Sequence, residues 1–179
     1  MNQNNRPLIF SAPMVRALLA GAKTMTRRMG NRYAKWKKGD RIWVRETWWT
    51  YPHGVTEKDM RDGADSWPFV NDILIAYDAD GDGEQWRSLG LKKKSPIFMP
   101  RWASRITLEL TSNAYQQPLH EITEDDARRE GFSSIDSDSW KVSAAAQFHK
   151  AWLMLHGGTA WTANTLVWVI GFRVMEATP

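Results

Sequence analysis

The sequence predicts an α+β domain in which a mixed, mostly antiparallel, barrel-like sheet is flanked by helices. The predicted elements run strand, helix, several strands, helix, helix, strand, with too few crossover helices for a doubly wound sheet. The 179 residues amount to about one domain, long enough to bury a core without covalent staples. No internal repeat or low-complexity tract interrupts it.

The elements follow in order. Pro7 to Phe10 is a short apolar run that reads as a strand. Ser11 can cap the next helix, with Pro13 tolerated in its first turn. Met14, Val15, Leu18 and Leu19 fall at helical spacing, and Gly21 suits the left-handed position after the helix. Lys23 to Arg28 reads as a loop or the start of an extended stretch. Gly39-Asp40 turns the chain into Arg41–Thr47, which alternates with period two and sends Ile42, Val44 and Glu46 one way and Arg41, Trp43 and Arg45 the other.

Residues 51 to 68 are acidic and rich in Gly and Pro, and 51–95 as a whole reads as an insertion or long loop region within one domain of 1–179. Inside it, Ile73–Tyr77 is a plausible strand and residues 78 to 83 a turn. That turn brushes a calcium-loop pattern, but without a Glu at the twelfth position it is discounted. Lys92 to Pro100 reads as a basic loop and Ser104–Leu110 as a strand. Thr123 caps a short helix through Arg129, since carboxylates at 124 to 126 suit a helix N-terminus. Ser139–Leu155 reads as an amphipathic helix with Trp140, Ala144, Phe148 and Trp152 on one face. Asn164–Val174 closes the chain as a strand.

Composition removes several chemistries. There is no cysteine, hence no disulfide scaffold, thiol nucleophile or Cys-ligated metal. The four histidines are too scattered to suggest a metal cage, and the sequence calls for no cofactor. The apolar runs are too short to span a bilayer, and the polar N-terminus is not followed by a secretory core, so a soluble, cytoplasmic protein is expected.

Eleven tryptophans are several times ordinary usage, and many sit beside cations, as in Lys35-Trp36-Lys37-Lys38. Indoles next to cations fit base stacking plus phosphate pairing. Core filling explains most of them more simply, Trp43 included. The net charge of +4 conceals a pattern. Residues 23 to 45 carry nine cations against Asp40, and 87 to 105 carry six cations and no acid. One acidic stretch, 54 to 84, separates them, and a second, 109 to 138, follows. Two basic blocks converging on one face would attract a polyanion, although charge runs are often mere solvation.

One segment carries chemistry. Gly21-Ala22-Lys23-Thr24-Met25-Thr26-Arg27-Arg28 resembles the G-x-K-x-x-T-x-R signature of the ASCH domain family, a branch of the PUA-like superfamily, through Gly21, Lys23, Thr26 and Arg28. The Gly39-Asp40 turn, Thr123-Glu124 and the closing Val167–Phe172 strand follow in family-like order. Residues 43–48 and 99–105 are similar to a larger phage or prophage subgroup. The resemblance covers most of the chain outside 51–95. It implies a small β-barrel with a cleft beside the first helix, binding nucleic acid or a modified nucleoside, with RNA the expected partner. In one branch that hydrolyses the amide of N4-acetylcytidine, a Lys, a Thr and a Glu act. Lys23 and Thr26 match the first two, and Glu130 falls where the third lies.

The chemistry is coherent in its own right. A Thr hydroxyl becomes a nucleophile when a base takes its proton, and Lys23 could be that base if burial or Arg27 and Arg28 lower its pKa. Glu130 could activate water or hold Lys23 as an ion pair, two roles that pull in opposite directions. Simpler alternatives stand beside each: Lys23 as a phosphate contact, Thr26 as a turn cap, Glu130 as a solvated surface group. Arg27, Arg28, Arg45, Arg101 and Arg105 are candidate anion contacts. Trp48 and Trp49 are candidate stacking surfaces, and Glu46 could read a base edge or pair with Lys23. A binding protein with this basic cleft is the first expectation; a hydrolase, either an N4-acetylcytidine amidohydrolase or a ribonuclease, is the alternative.

Overall fold

Alternating apolar residues build the sheet, and one long C-terminal strand organises it. The computed structural model describes residues 5–51, 69–70, 73–81, 83–137 and 140–177. Twelve strands are present among them: β1 (Asn5–Ile9), β2 (Met25–Arg28), β3 (Arg41–Arg45), β4 (Trp48–Thr50), β5 (Phe69–Val70), β6 (Ile73–Tyr77), β7 (Lys92–Lys94), β8 (Ile106–Leu110), β9 (Tyr115–Pro118), β10 (Ile135–Ser137), β11 (Trp140–Val142) and β12 (Leu166–Ala177). The helices are α1 (Ala12–Leu19), α2 (Gly83–Ser88), α3 (Glu124–Arg129) and α4 (Ala144–His156).

The main sheet runs β1-β3-β8-β12-β2, with β9 also on β12, and curls into a half-barrel. β1 lies parallel to β3 and the other pairs are antiparallel, so the fold is mixed α+β as expected. The N-terminal part of β12 takes β2 and β9 on its two edges, while the part beyond Phe172 pairs with β8 through a register shift between Val174 and Glu176. A bulge of this kind bends a strand and lets one chain serve two stretches of a curled sheet. Leu8, Phe10, Val15, Leu18, Ile42, Val44, Ile106, Leu108, Ile170 and Phe172 belong to one buried core cluster that joins the sheet to α1.

The segment around 51–95 is more than a loop where it is described. β4, β5, β6 and β7 form a four-stranded sheet of their own, order β5-β6-β4-β7. Residues 52–68, expected as an insertion or loop, lie outside the described residues. β7 and a 3-10 turn at Pro96–Phe98 stand where a basic loop was expected.

Two helix starts show how local chemistry sets boundaries. Thr123 accepts a hydrogen bond from Asp126 N, and Asp126 accepts one in return from Thr123 N, a reciprocal capping box on α3. Ser143 caps α4 through Ala146 N, so this helix begins at Ala144 rather than at Ser139. Trp140 belongs instead to the β10–β11 hairpin, opposite Ser137. Its four-residue spacing to Ala144 imitates a helical period. Ser11 precedes α1 in extended geometry, but its side chain makes no capping bond. Gly21 and Gly39 have φ of +70° and +86° at the predicted turns, a region that favours glycine.

One carboxylate joins the two helices. Glu124, in the first turn of α3, accepts from Ala144 N at 2.8 Å and Ala145 N at 3.0 Å, and also from Ser134 Oγ. The Ala145 and Ala144 N–H groups, with Ser134 and Arg128 assisting, pull its pKa down to about 2. A carboxylate lowered by folding contributes stability that is present above its ordinary value near 4.5 and is lost as pH falls towards 2. Urea denaturation at stepped pH should therefore show wild type more stable than Glu124→Gln at pH 6, with the gap closing between pH 4.5 and 2.

Candidate functional site

The segment Lys23–Arg28 emerges from the left-handed turn at Gly21 and enters β2. Its path is pinned on three sides. Lys23 N donates to Ala17 O, Thr24 N to Arg129 O, and Phe172 N to Thr24 O, each at 2.8–3.0 Å. These bonds bring the end of α3 against the start of β2, which places Glu130 beside Lys23.

Lys23 is 2% exposed and Glu130 3%. Lys23 Nζ donates to Glu130 Oε2 and to the Glu130 carbonyl, both at 2.7 Å. Arg27 lies across the other carboxylate oxygen, Nη1 to Oε1 at 3.5 Å, and donates through Nη2 to Asp126 Oδ2 at 2.7 Å and Gln117 Oε1 at 3.0 Å. Gly131 follows with φ of +93°; a Cβ there would stand 2.9 Å from Ala17 Cβ and 3.3 Å from Lys23 Cβ. The approach of the α3 terminus to Lys23 is therefore one that only glycine permits.

Burial lowers the Lys23 pKa from its ordinary value; Glu130 opposes this through charge and hydrogen bond, while Arg28 and Arg27 reinforce it. Arg28 is held by Ile9 O at 2.7 Å and lies over the Phe10 ring, 5.2 Å from its centroid. Desolvation lowers its pKa too, with Glu130 opposing, yet a guanidinium stays charged across the physiological range.

These side chains line a cleft of about 790 Å³. Lys23, Thr26, Arg27, Arg28, Arg32 and Arg45 supply polar wall, and among the described residues Glu130 is the one carboxylate on it. Phe10, Phe132, Phe148, Trp152, Ile97 and Leu155 supply apolar wall, with His156 beside them. The volume suits a small ligand, and apolar walls with a few converging polar groups are what such sites share. Thr26 is buried on β2, opposite Ile170. Its hydroxyl has no hydrogen-bond partner among the described residues, and no hydrogen bond joins it to Lys23.

The expected site residues thus divide. Lys23, Thr26, Glu130, Arg27, Arg28 and Arg45 meet at the cleft. Glu46, Trp48, Trp49, Arg101 and Arg105 are not on its wall. Glu46 does not pair with Lys23; it is locked to Arg105, which donates from Nε to Oε1 at 3.0 Å and from Nη2 to Oε2 at 3.2 Å. Asp80 accepts from Arg105 Nη1 at 2.6 Å and from Nη2 at 2.7 Å. Tyr77 lies 4.0 Å from that guanidinium, and burial pushes its hydroxyl up to about 12.

Trp48 and Trp49 are buried because β4 is sandwiched between β6 and β7. Trp48 packs in one apolar cluster with Ile75 and Met99, and Trp49 donates from Nε1 to Asp78. Trp43 is core, as expected, with Arg45 and Arg101 over its ring at 4.6 and 6.0 Å. Sequence reasoning missed the aromatic wall. Phe148 and Trp152 share a helix face that reads as core, and nothing local separates a core face from a cleft face. Asp126 and Gln117 were missed as partners of Arg27 for the same reason.

Against models of protein families, curated proteins and solved structures, the chain matches none. Among the described residues no group of three or more His, Asp or Glu is placed to hold a metal ion, and no helix is long and apolar enough to cross a membrane.

Removing one partner of a buried ion pair leaves an uncompensated charge, at a cost of about 3–5 kcal/mol. Glu130→Gln leaves Lys23 without a carboxylate, whereas Lys23→Met leaves Glu130 with Arg27. Chemical denaturation should find Glu130→Gln the more destabilised of the two.

Proposed function

We propose that the chain is an ASCH-type, PUA-like protein that binds nucleic acid or a modified nucleoside in this cleft, with RNA the preferred source. The observation that carries the reading is that Lys23, Thr26 and Arg28 of the G-x-K-x-x-T-x-R segment share one cleft wall with an aromatic surface. A base lies against Phe and Trp rings, and Arg28, Arg32 and Arg45 meet phosphate. The surplus of cations over Glu130 favours an anionic ligand. Such a ligand belongs to the cytoplasm.

Fluorescence anisotropy with a labelled 12-mer RNA tests it. Affinity should fall with salt at a log–log slope of about −0.7 per neutralised phosphate. Lys23→Ala should weaken binding tenfold or more, and salt-independent binding untouched by this change would overturn the reading.

A second reading is favoured by the lowered Lys23 pKa beside Glu130: hydrolysis of an acylated base such as N4-acetylcytidine. Neutral Lys23 takes the Thr26 proton, Oγ bonds to the acyl carbon, and the amine leaves with the proton from Lys23. Water activated by Glu130 then cleaves the ester. Because the base form of Lys23 is required, the rate should climb with pH through a midpoint below 10.5 and vanish in Thr26→Ala. Incubation with N4-acetylcytidine and a labelled RNA, followed by chromatography, distinguishes amide cleavage, strand cleavage and neither.

A further inference from the structure

Next to the cleft the chain leaves unusual surface uncovered. Phe98 is 75% exposed and Ile97 58%, both on the 3-10 turn Pro96–Phe98, and Trp102 is 42% exposed on the following turn, Arg101–Ala103. Large apolar side chains this exposed on two consecutive turns mark a contact surface. The surface is continuous with the cleft in two ways. Pro96 and Ile97 lie on the cleft wall. Arg45, also on that wall, shares the Trp43 ring with Arg101, the neighbour of Trp102.

The charge of this surface selects its partner. Among the described residues, Lys93 is engaged with Asp78, and Arg105 with Glu46 and Asp80, but Lys92, Lys94 and Arg101 have no carboxylate partner. Lys94 lies opposite Trp48 in the β4–β7 pair, and Lys92 is two residues along the same face. The Trp48 ring meets Trp102 edge-on at 6.4 Å. Lys92 and Lys94 therefore share one side with an exposed indole, while Arg101 is steadied by hydrogen bonds to Thr107 Oγ1 and Ser104 O. Arg45 adds a buried Nε that has no hydrogen-bond partner among the described residues. Exposed rings beside cations that lack a carboxylate partner suit a single strand, whose bases stack on the rings while its phosphates meet the cations. An acidic peptide would leave the rings unused.

We propose that single-stranded RNA runs along this ledge of Phe98, Trp102, Arg101, Lys92 and Lys94, so that the cleft receives one base of a strand rather than a free nucleoside. The inference rests on the cleft reading, and its test keeps the two apart. Anisotropy with a labelled 12-mer RNA, and calorimetry with cytidine 5′-monophosphate, are measured on wild type, Phe98→Ala and Lys92→Ala/Lys94→Ala. Phe98 and Lys92 are exposed and Lys94 is half-buried without a carboxylate partner among the described residues, so both variants keep the fold. Phe98→Ala should weaken 12-mer binding about tenfold, the loss of one stacked base, with the mononucleotide unaffected. The double lysine variant should reduce the salt slope of 12-mer binding by about 1.4, or roughly 0.7 for each cation. Equal 12-mer affinity in wild type and both variants overturns the ledge even when the mononucleotide binds. Ledge-dependent 12-mer binding that is indifferent to Lys23→Ala, with no mononucleotide binding, upholds the ledge and overturns the cleft reading.

Discussion

The buried Glu130 carboxylate is the constraint around which this structure is arranged. It lies where α3 ends, yet it pairs with two cations from the segment leading into and along β2, Lys23 and Arg27, the second shared with Asp126. A charge buried this deeply is tolerated only when paired and hydrogen-bonded. Position then follows from charge: α3 must approach β2 closely, and Gly131 permits it where a Cβ would collide with Ala17. Because α3 also caps α4 through Glu124, the helix that supplies Phe148 and Trp152 to the cleft is placed by the same contact. The wall chemistry and the wall position have one origin.

Two ionic clusters, each centred on a buried carboxylate, serve different ends. In the one formed by Glu46, Arg105 and Asp80, all three guanidinium nitrogens are bonded to carboxylate, and no member lies on the cleft wall. It holds the β4–β7 sheet side to the start of β8. In the cluster of Lys23, Arg27, Glu130 and Asp126, three members face the cleft. Within that cluster the charges balance, two against two, but on the cleft wall Arg28, Arg32 and Arg45 stand beside it without a further carboxylate among the described residues, which leaves a residual positive field in a partly apolar enclosure, where charge acts over longer range than in water.

Much of the fold was legible from local pattern. Alternation at Arg41–Arg45 and Ile106–Leu110, the Thr123 cap and the turns at Gly21 and Gly39 each depend on residues close in sequence. Errors arose where periods coincide or partners are distant. Trp140 falls four residues before Ala144 and so joins a helical face on paper, although Ser143 and the Glu124 carboxylate start the helix later. Trp48 and Trp49 stand among cations in sequence and suggest stacking surfaces. Pairing of β4 with two neighbouring strands, set by residues 27 to 46 positions away, buries them.

The sequence by itself determined the α+β class, the absence of thiol chemistry, the segregation of charge into blocks and the single segment with chemical content, since these depend on composition, period and short spacing. Only the tertiary structure decided which charges meet. Lys23 and Glu130 are 107 residues apart and bond directly; Glu46, given an equal claim on Lys23 by chemistry, is held elsewhere by Arg105. The tertiary structure likewise divided the aromatic residues into buried packing, cleft wall and exposed ledge. The physical reason is common to both. Coulomb attraction and burial depend on distance in space, and the pairings of β12, reaching strands from both halves of the chain, set that distance.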